Sequence, residues 1–285
     1  MTIPVFRFAP SPNGSLHLGH AFSALLNQKM AHEMAGRLLL RMENIDRERC
    51  APELEHLMLD DLEWIGLTWE QPVRRQSEHF PLYQQALDHL IEMELVYPAF
   101  LSRSGIKQEI ERSNIDDWPR DPDGAMLYPP TERLLSKREQ KSRMDRGHPY
   151  AWRLNMDRAL EAAGIELTWQ EFGSHEHKVK ARPQDWGDVI IARRDMPTSY
   201  HLSVVIDDAL QGITHVVRGR DLYHATSVHR LLQHLFGIDP PLYHHHRLIL
   251  DDEGNKLSKS RKDTSLRSLR EQGITRQEIC NLIGL

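Results

Sequence analysis

Two histidines three residues apart form the first candidate site. His17 and His20 close the run RFAPSPNGSLHLGH, residues 7–20. At the start of a helix their ring N–H groups could donate to a phosphoryl group as charge grows on it in a transition state. The helix N-terminus adds unpaired backbone N–H groups and a partial positive charge. Gly14 and Gly19 leave room for a nucleotide to approach the backbone. Far along the chain, KLSKS places Lys256 and Lys259 around Ser258. Lysines on a loop can fold over a triphosphate and neutralise it as pyrophosphate leaves. Each motif alone has a plainer reading: capping histidines in one case, a solvated basic loop in the other. Neither a G-x-x-x-x-G-K-[ST] loop nor a G-x-G-x-x-G turn occurs, which excludes a P-loop and argues against a dinucleotide site.

The elements that must position these groups follow from periodicity. Pro4 to Ala9 reads as a strand, broken by Pro10, Pro12, Asn13 and Gly14. Leu18, Ala21, Phe22 and Leu25 then recur at helical spacing, with Gly36 suited to the helix end and Arg37 to Met42 as the next strand. Pro52 to Ile65 and Leu82 to Leu95 are helices, and Asp116 to Pro130 is a loop. Ala151 to Leu154 and Val179 to Ala181 are short strands. Asp188 to Ala192 and Leu202 to Ile206 read as a strand pair, and Gly212 to Val217 as a strand. Asp221 is placed to cap a helix over Leu222 to Phe236, and Tyr243 to Leu250 reads as a strand leading to the lysine loop. This alternation predicts an α/β fold: a Rossmann-like doubly wound parallel sheet with its ligand at the C-terminal strand edge.

The blocks RFAPSPNGSLHLGHAFSALLN, RMENID, YHLSVVIDDALQGITHVVRGRDL and LILDDEGNKLSKS together resemble the glutamyl branch of the class I aminoacyl-tRNA synthetases. The resemblance implies that His17, His20 and Lys259 are catalytic. It implies that Gly14, Gly19, Lys256 and Ser258 bind ATP with them, Mg²⁺ accompanying the phosphates. Arg7, Phe8, Ala9, Pro10, Ser11, Glu43 and Tyr200 would line the L-glutamate pocket, Glu43 facing the α-ammonium. Arg218 would clamp the side-chain carboxylate, and a donor-only guanidinium favours a carboxylate over an amide. In related short members a zinc site falls at positions matching Ala99, Leu101, Tyr128 and Glu132. Those residues cannot make a closed tetrahedral site, so no structural zinc is expected.

About 25 residues follow the lysine loop, too few for the anticodon-reading region of a full glutamyl-tRNA synthetase. The short subfamily implied by that length activates glutamate without tRNA. It transfers it to the cyclopentenediol of queuosine, the wobble base of tRNA(Asp), so the partner would be the anticodon loop. Three other readings stay open: a truncated enzyme charging a tRNA 3′ end, a different H-x-G-H nucleotidyltransferase, and a non-catalytic RNA- or amino-acid-binding paralog. The expected organisation has residues 1–95 and 186–240 as the two halves of the catalytic domain. An inserted α+β connective subdomain occupies 96–185, and 241–285 carries the lysine loop and a short helical tail.

Composition fits a cytoplasmic protein with no membrane association, and a monomer is expected. There is no apolar run of membrane-spanning length, and Cys50 and Cys280 lie far apart in the sequence. A net charge of −5 disfavours broad nucleic-acid affinity, so RNA would need a local basic patch. The run 133–146 is the first candidate for it, and Arg261, Lys262, Arg267 and Arg270 the second. His244 to His246 and the pair His175 and His177 are weak metal candidates.

Overall fold

A computed structural model describes residues 3–173, 176–251, 254, 257 and 265–285. In chain order the elements are β1 (Val5–Phe8), α1 (Leu18–Glu33), β2 (Arg37–Met42), α2 (Pro52–Trp64), β3 (Glu70–Arg75), α3 (Phe80–Glu92) and β4 (Val96–Ala99). Next come α4 (Arg103–Arg112), α5 (Lys137–Asp145), β5 (Ala151–Leu154), α6 (Met156–Ala163), β6 (Thr168–Glu171), β7 (His177–Lys180) and β8 (Ile190–Arg193). The last are α7 (Tyr200–Leu210), β9 (His215–Gly219), α8 (Thr226–Leu235), β10 (Leu242–His246), α9 (Leu266–Glu271) and α10 (Arg276–Ile283).

Seven strands form the main sheet in the order β3-β2-β1-β9-β10-β6-β7. All neighbours are parallel except β6 and β7. Successive strand residues feed opposite faces. Val5 and Val216 join the core under α7 and α8, whereas Phe6 and Val217 join the core under α1 and α2. Covering both faces is what a parallel sheet requires. From β1 the chain winds outward to β2 and β3, and later returns to β1's other side with β9 and β10. The crevice beyond the C-terminal ends of β1 and β9 is therefore the topological switch point.

A second sheet, β4-β5-β8, is antiparallel. Its members come from inside and outside the expected 96–185 insert, while β6 and β7 join the main sheet, so the expected boundaries follow neither sheet. Other expectations shift. Leu202 to Ile206 belong to α7, not to a strand: the run LSVVIDDAL is apolar on consecutive positions, and such a short run fits a buried helix as well as a strand. Asp221 lies in a 3-10 turn, Arg220–Leu222, and caps no helix; α8 begins at Thr226. β10 stops at His246.

The end of α1 divides two tasks between two residues. Ala35 takes the left-handed conformation at φ 48°, while Gly36 packs against β1, where an added Cβ would lie 2.7 Å from the Pro4 carbonyl oxygen. Sequence reading gave the turn to Gly36. A left-handed alanine costs about 1 kcal/mol. Ala35→Gly should therefore raise stability by roughly 1 kcal/mol, and Gly36→Ala should lower it by about 1–3 kcal/mol through overpacking. Urea unfolding checks both, and a destabilised Ala35→Gly protein would refute the assignment.

Candidate active site

The N-terminus of α1 is capped by its own histidines. The Gly19 N–H donates to His17 Nδ1 at 3.1 Å, and the His17 N–H donates to His20 Nδ1 at 3.2 Å. The rings lie 3.9 Å apart, centroid to centroid. Since each Nδ1 accepts, the proton of each neutral ring sits on Nε2. Gly19 permits this fold: a Cβ there would meet the His17 ring at 3.0 Å.

A cavity of about 420 Å³ occupies the switch point. His17, Gly19 and His20 form one wall, and Arg7, Phe8, Ala9 and Ser11 run along its floor. Glu43, Tyr200 and Arg218 close the far side. Ten expected site residues thus converge. Pro10 and Gly14 stand behind the lining; the Pro10 carbonyl accepts the Glu43 N–H at 2.9 Å and so fixes that residue's backbone. Lys256, Ser258 and Lys259 lie outside the described residues, as do Arg261 and Lys262. Their neighbours do reach the site: Leu257 lines the cavity, Ser265 bridges to His17, and the Leu266 N–H donates to the Leu16 carbonyl at 2.8 Å.

Beneath the floor lies a balanced set of buried charges. Asp208 accepts from Arg41 Nη1 at 2.7 Å and from Arg7 Nε at 3.2 Å. Asp207 accepts from Arg74 Nε at 2.8 Å, Gln76 at 2.9 Å and the Tyr83 hydroxyl. Arg41 also reaches Glu43 at 3.3 Å. Burial alone would raise the Asp208 carboxyl, but Arg7 and Arg41 outweigh it and hold the group below its ordinary range. For Glu43 burial wins and its carboxyl is raised, despite Arg41 and Arg7.

Arg218 is different. Its side chain is buried, yet it makes no ion pair with any described residue. Its five N–H groups reach only neutral acceptors. Nε donates to His245 Nε2 at 3.1 Å, and Nη1 to Tyr200 Oη and His229 Nδ1, each at 3.3 Å. Nη2 donates to Thr226 Oγ1 at 2.7 Å and the Leu222 carbonyl at 3.2 Å. Burial, reinforced by this guanidinium, lowers His201 to about 4 and pushes His229 well below the imidazole range. Burial raises Tyr200 to about 12. A buried cation among neutral groups is arranged for an anion that arrives from outside.

A second cavity of about 510 Å³ shares Ser11, Asn13, Glu43 and Tyr200 with the first. Trp186, His201 and Arg193 line its outer part. It runs from the Glu43 and Tyr200 side of the switch-point cavity to residues of the small sheet, Arg153, Ile190 and Arg193.

Sequence reasoning missed Asp207, Asp208, Thr226, His229 and His245. The available signal was the pair of aspartates inside an apolar run, two helical turns after Tyr200. The positions matching a zinc site do not fit a metal. Ala99 and Leu101 offer no ligand side chain, while Tyr128 donates to Glu132, whose Oε2 also accepts from Phe100 N–H at 2.7 Å and Leu101 N–H at 3.2 Å. Among the described residues no cluster of three or more His, Cys, Asp or Glu side chains could hold a metal ion. The basic run 133–146 is largely spent within the protein: Arg133 pairs with Asp188 and Asp157, Lys137 with Glu94, Lys141 with Asp145 and Arg143 with Glu139. Arg267 pairs with Asp60 and Asp61, and Arg270 lies over Trp64. Among the described residues no helix is long and apolar enough to cross a membrane.

Residues 5–285 match the family described as tRNA synthetases class I (E and Q), catalytic domain. The chain is 46% identical over 290 residues to a glutamyl-Q tRNA(Asp) synthetase of Rhodobacter capsulatus, covering 99% of this chain and 100% of that protein. It is 32% identical over 279 residues to a glutamate–tRNA ligase of Aquifex aeolicus, and spans 56% of that protein's length. A crystal structure of a glutamate tRNA ligase from Elizabethkingia meningosepticum, in complex with its amino acid, superposes with a TM-score of 0.73 at 28% identity. The alignment covers 95% of this chain and 53% of that one. The chain thus spans little more than half the length of the glutamate–tRNA ligases it matches.

Removing the shared anion should unsettle both arginines it holds. Asp208→Asn is expected to lose about 3 kcal/mol of stability at pH 7. Because the native carboxyl lies below its unfolded value of about 3.9, its contribution is fully present above that pH and disappears as pH falls through the lowered native value. Urea unfolding at pH 7 and pH 3 should therefore show a gap between the two proteins that narrows in acid. Equal midpoints at pH 7 would show that Asp208 is not the anchor.

Proposed function

The chain belongs to the class I tRNA synthetase family, in its E and Q catalytic-domain branch, and on that premise we propose that it activates L-glutamate with ATP and transfers the glutamyl group to queuosine in tRNA(Asp). The observation that carries this reading is Arg218, a buried guanidinium that pairs with no carboxylate among the described residues, on the cavity that His17 and His20 also line. A side-chain carboxylate would complete it, whereas the amide of glutamine would bring N–H groups to a donor-only partner. Glu43, on the same cavity, would take the α-ammonium.

In the first step an α-carboxylate oxygen of glutamate attacks the α-phosphorus of ATP. The phosphorus–oxygen bond to pyrophosphate breaks, leaving glutamyl-adenylate. His17 and His20 would donate through Nε2–H to phosphate oxygens, and Lys256 and Lys259 would neutralise the leaving group. Magnesium enters with the triphosphate as part of the substrate, held through phosphate oxygens and water. In the second step a hydroxyl of the queuosine cyclopentenediol attacks the glutamyl carbonyl. An ester forms, AMP leaves with the electrons of the broken anhydride bond, and the hydroxyl proton passes to solvent. The second cavity offers space for the acceptor beside the first, since the two share Ser11, Asn13, Glu43 and Tyr200. The likeness to the R. capsulatus protein across both full lengths supports the tRNA(Asp) acceptor.

The decisive assay is glutamylation of tRNA(Asp) with and without queuosine. Labelling is expected only with the modified base, at the anticodon; equal labelling without it, or labelling at the 3′ end, would sink the acceptor assignment. A second test separates capping from chemistry. His17→Ser keeps an acceptor for the Gly19 N–H, so stability should stay within about 1 kcal/mol. Glutamate-dependent exchange of pyrophosphate into ATP should nonetheless fall ~100-fold, the effect of losing one preorganised donor. Undiminished exchange would leave His17 with capping alone.

A further inference from the structure

We infer that Glu171 and His245 form a positioning pair for Arg218, aiming its guanidinium at the substrate's side-chain carboxylate while leaving its charge unneutralised. The inference rests on the glutamate-ligase reading and adds to it the device that makes the arginine selective.

The pair runs across three neighbouring parallel strands. Arg218 on β9 stands opposite His245 on β10, and Glu171 on β6 stands opposite Tyr243 on β10. The Glu171 carboxylate lies 2.7 Å from His245 Nδ1, accepts the Trp169 indole N–H at 2.7 Å and accepts the His245 backbone N–H at 3.2 Å. A carboxylate surrounded by donors stays ionised. Burial would raise Glu171, yet the bonds from His245 and Trp169 hold it below the ordinary range. An ionised carboxylate only accepts, so His245 Nδ1 carries the ring proton. Nε2 then presents a lone pair, and Arg218 Nε–H donates to it at 3.1 Å. The opposite tautomer would set an N–H against an N–H, because a guanidinium has nothing to accept with. Ring packing fixes the orientation: His245 stacks on Tyr243 at an interplanar angle of 3° and meets Tyr223 edge-on.

The neutral ring between the two charges is the point of the arrangement. Arg7 and Arg41 touch Asp208 directly, and Arg41 also faces Glu43 and Asp207, so their charges are met by carboxylates. Had Glu171 touched Arg218, it would have competed with the substrate carboxylate for the same N–H groups. With an imidazole interposed, Glu171 orients the arginine through Nε and lowers the cost of burying it, while Nη1 and Nη2 rest on uncharged acceptors, Tyr200 and His229 at 3.3 Å and the Leu222 carbonyl at 3.2 Å, that a substrate carboxylate can displace. Burial first, and Arg218 next to it, bring His245 to about 4 against the pull of Glu171, so the ring is neutral at the pH of catalysis.

The pair is tested on the full chain by ¹⁵N-histidine NMR, with ring nitrogens assigned through bonds, and by pyrophosphate exchange. In the substrate-free wild type His245 should be protonated on Nδ1, and Glu171→Gln should shift it toward the other tautomer. In exchange assays Glu171→Gln and His245→Phe should raise the half-saturating glutamate concentration about tenfold, the effect of one charge-assisted hydrogen bond. Half-saturation by ATP should be unchanged. His245→Gln, whose amide oxygen can accept from Arg218, should recover most of the loss. A wild-type ring protonated on Nε2, or a Glu171→Gln protein with unaltered glutamate dependence, or an equal rise for ATP, would overturn the inference. If the wild type showed no glutamate-dependent exchange, the ligase reading would fail, and the tautomer would still decide whether the pair exists.

Discussion

A buried guanidinium that faces no carboxylate among the described residues governs much of this site. Moving an ion out of water costs several kcal/mol unless something compensates it. Beneath the cleft the protein compensates in the ordinary way, with Arg7, Arg41 and Arg74 set against Asp207, Asp208 and Glu43. At Arg218 it uses only dipoles: a phenol, a threonine hydroxyl, a carbonyl and two imidazoles. That choice fixes the charge state of its surroundings. Burial first, and the neighbouring Arg218 charge after it, lower His201, His229 and His245 below the imidazole range. The result is a positive charge on the cavity whose immediate partners are neutral donors and acceptors, the arrangement that the proposed reading needs for an incoming carboxylate.

On the opposite wall the bonds that cap the helix also orient the two rings proposed to act on phosphate. A helix start needs acceptors for its first N–H groups. Here two imidazoles supply them through Nδ1, and that use determines where the remaining ring protons sit. A serine or aspartate cap would satisfy the backbone equally well but would present no N–H to a phosphate. The same helix start also anchors the far end of the lysine-bearing loop through Leu16 and His17. The chain after that loop is thus tied to the motif that the loop's lysines are proposed to serve, although the two lie at opposite ends of the sequence.

How much of this is legible in the sequence depends on how far apart the partners are. Local signals carry the strand-turn-helix at residues 4–36 and the wall of His17, Gly19 and His20, because these depend on spacing within one segment, whereas Arg7, Glu43, Tyr200 and Arg218 are reached only through the resemblance to the synthetase family. Residues that act by supporting another side chain leave almost no local trace. Asp207 and Asp208 sit in a run whose apolar character fits either period, and reading it as a strand hid two carboxylates that one helix turn delivers under Arg7 and Arg41. His245 reads as one of three adjacent histidines on a strand; only the pairing of β9, β10 and β6 shows it between Glu171 and Arg218. The basic run 133–146 misleads for the converse reason: its acidic partners, such as Glu94, Asp157 and Asp188, are remote in sequence, so its charge looks unspent.

The small sheet shows what can stand in for a metal. At the positions where a zinc would tie two loops, one carboxylate gathers two backbone N–H groups and a tyrosine hydroxyl. Tyr128 in turn accepts the Leu101 N–H at 3.3 Å, and the Arg153 guanidinium lies 3.8 Å from its ring centre. Asp188 plays a similar part nearby, accepting from the Tyr97 hydroxyl at 2.6 Å, the Met156 N–H at 2.9 Å and Arg133. A zinc centre joins its ligands through four bonds to one ion, whereas these hubs spread the same tie over several hydrogen bonds of about 1 kcal/mol each, stronger where a charge takes part. Tyr128, Arg153 and Asp188 all face the second cavity. Two buried carboxylates, Glu132 and Asp188, thus gather the hydrogen bonds behind its wall.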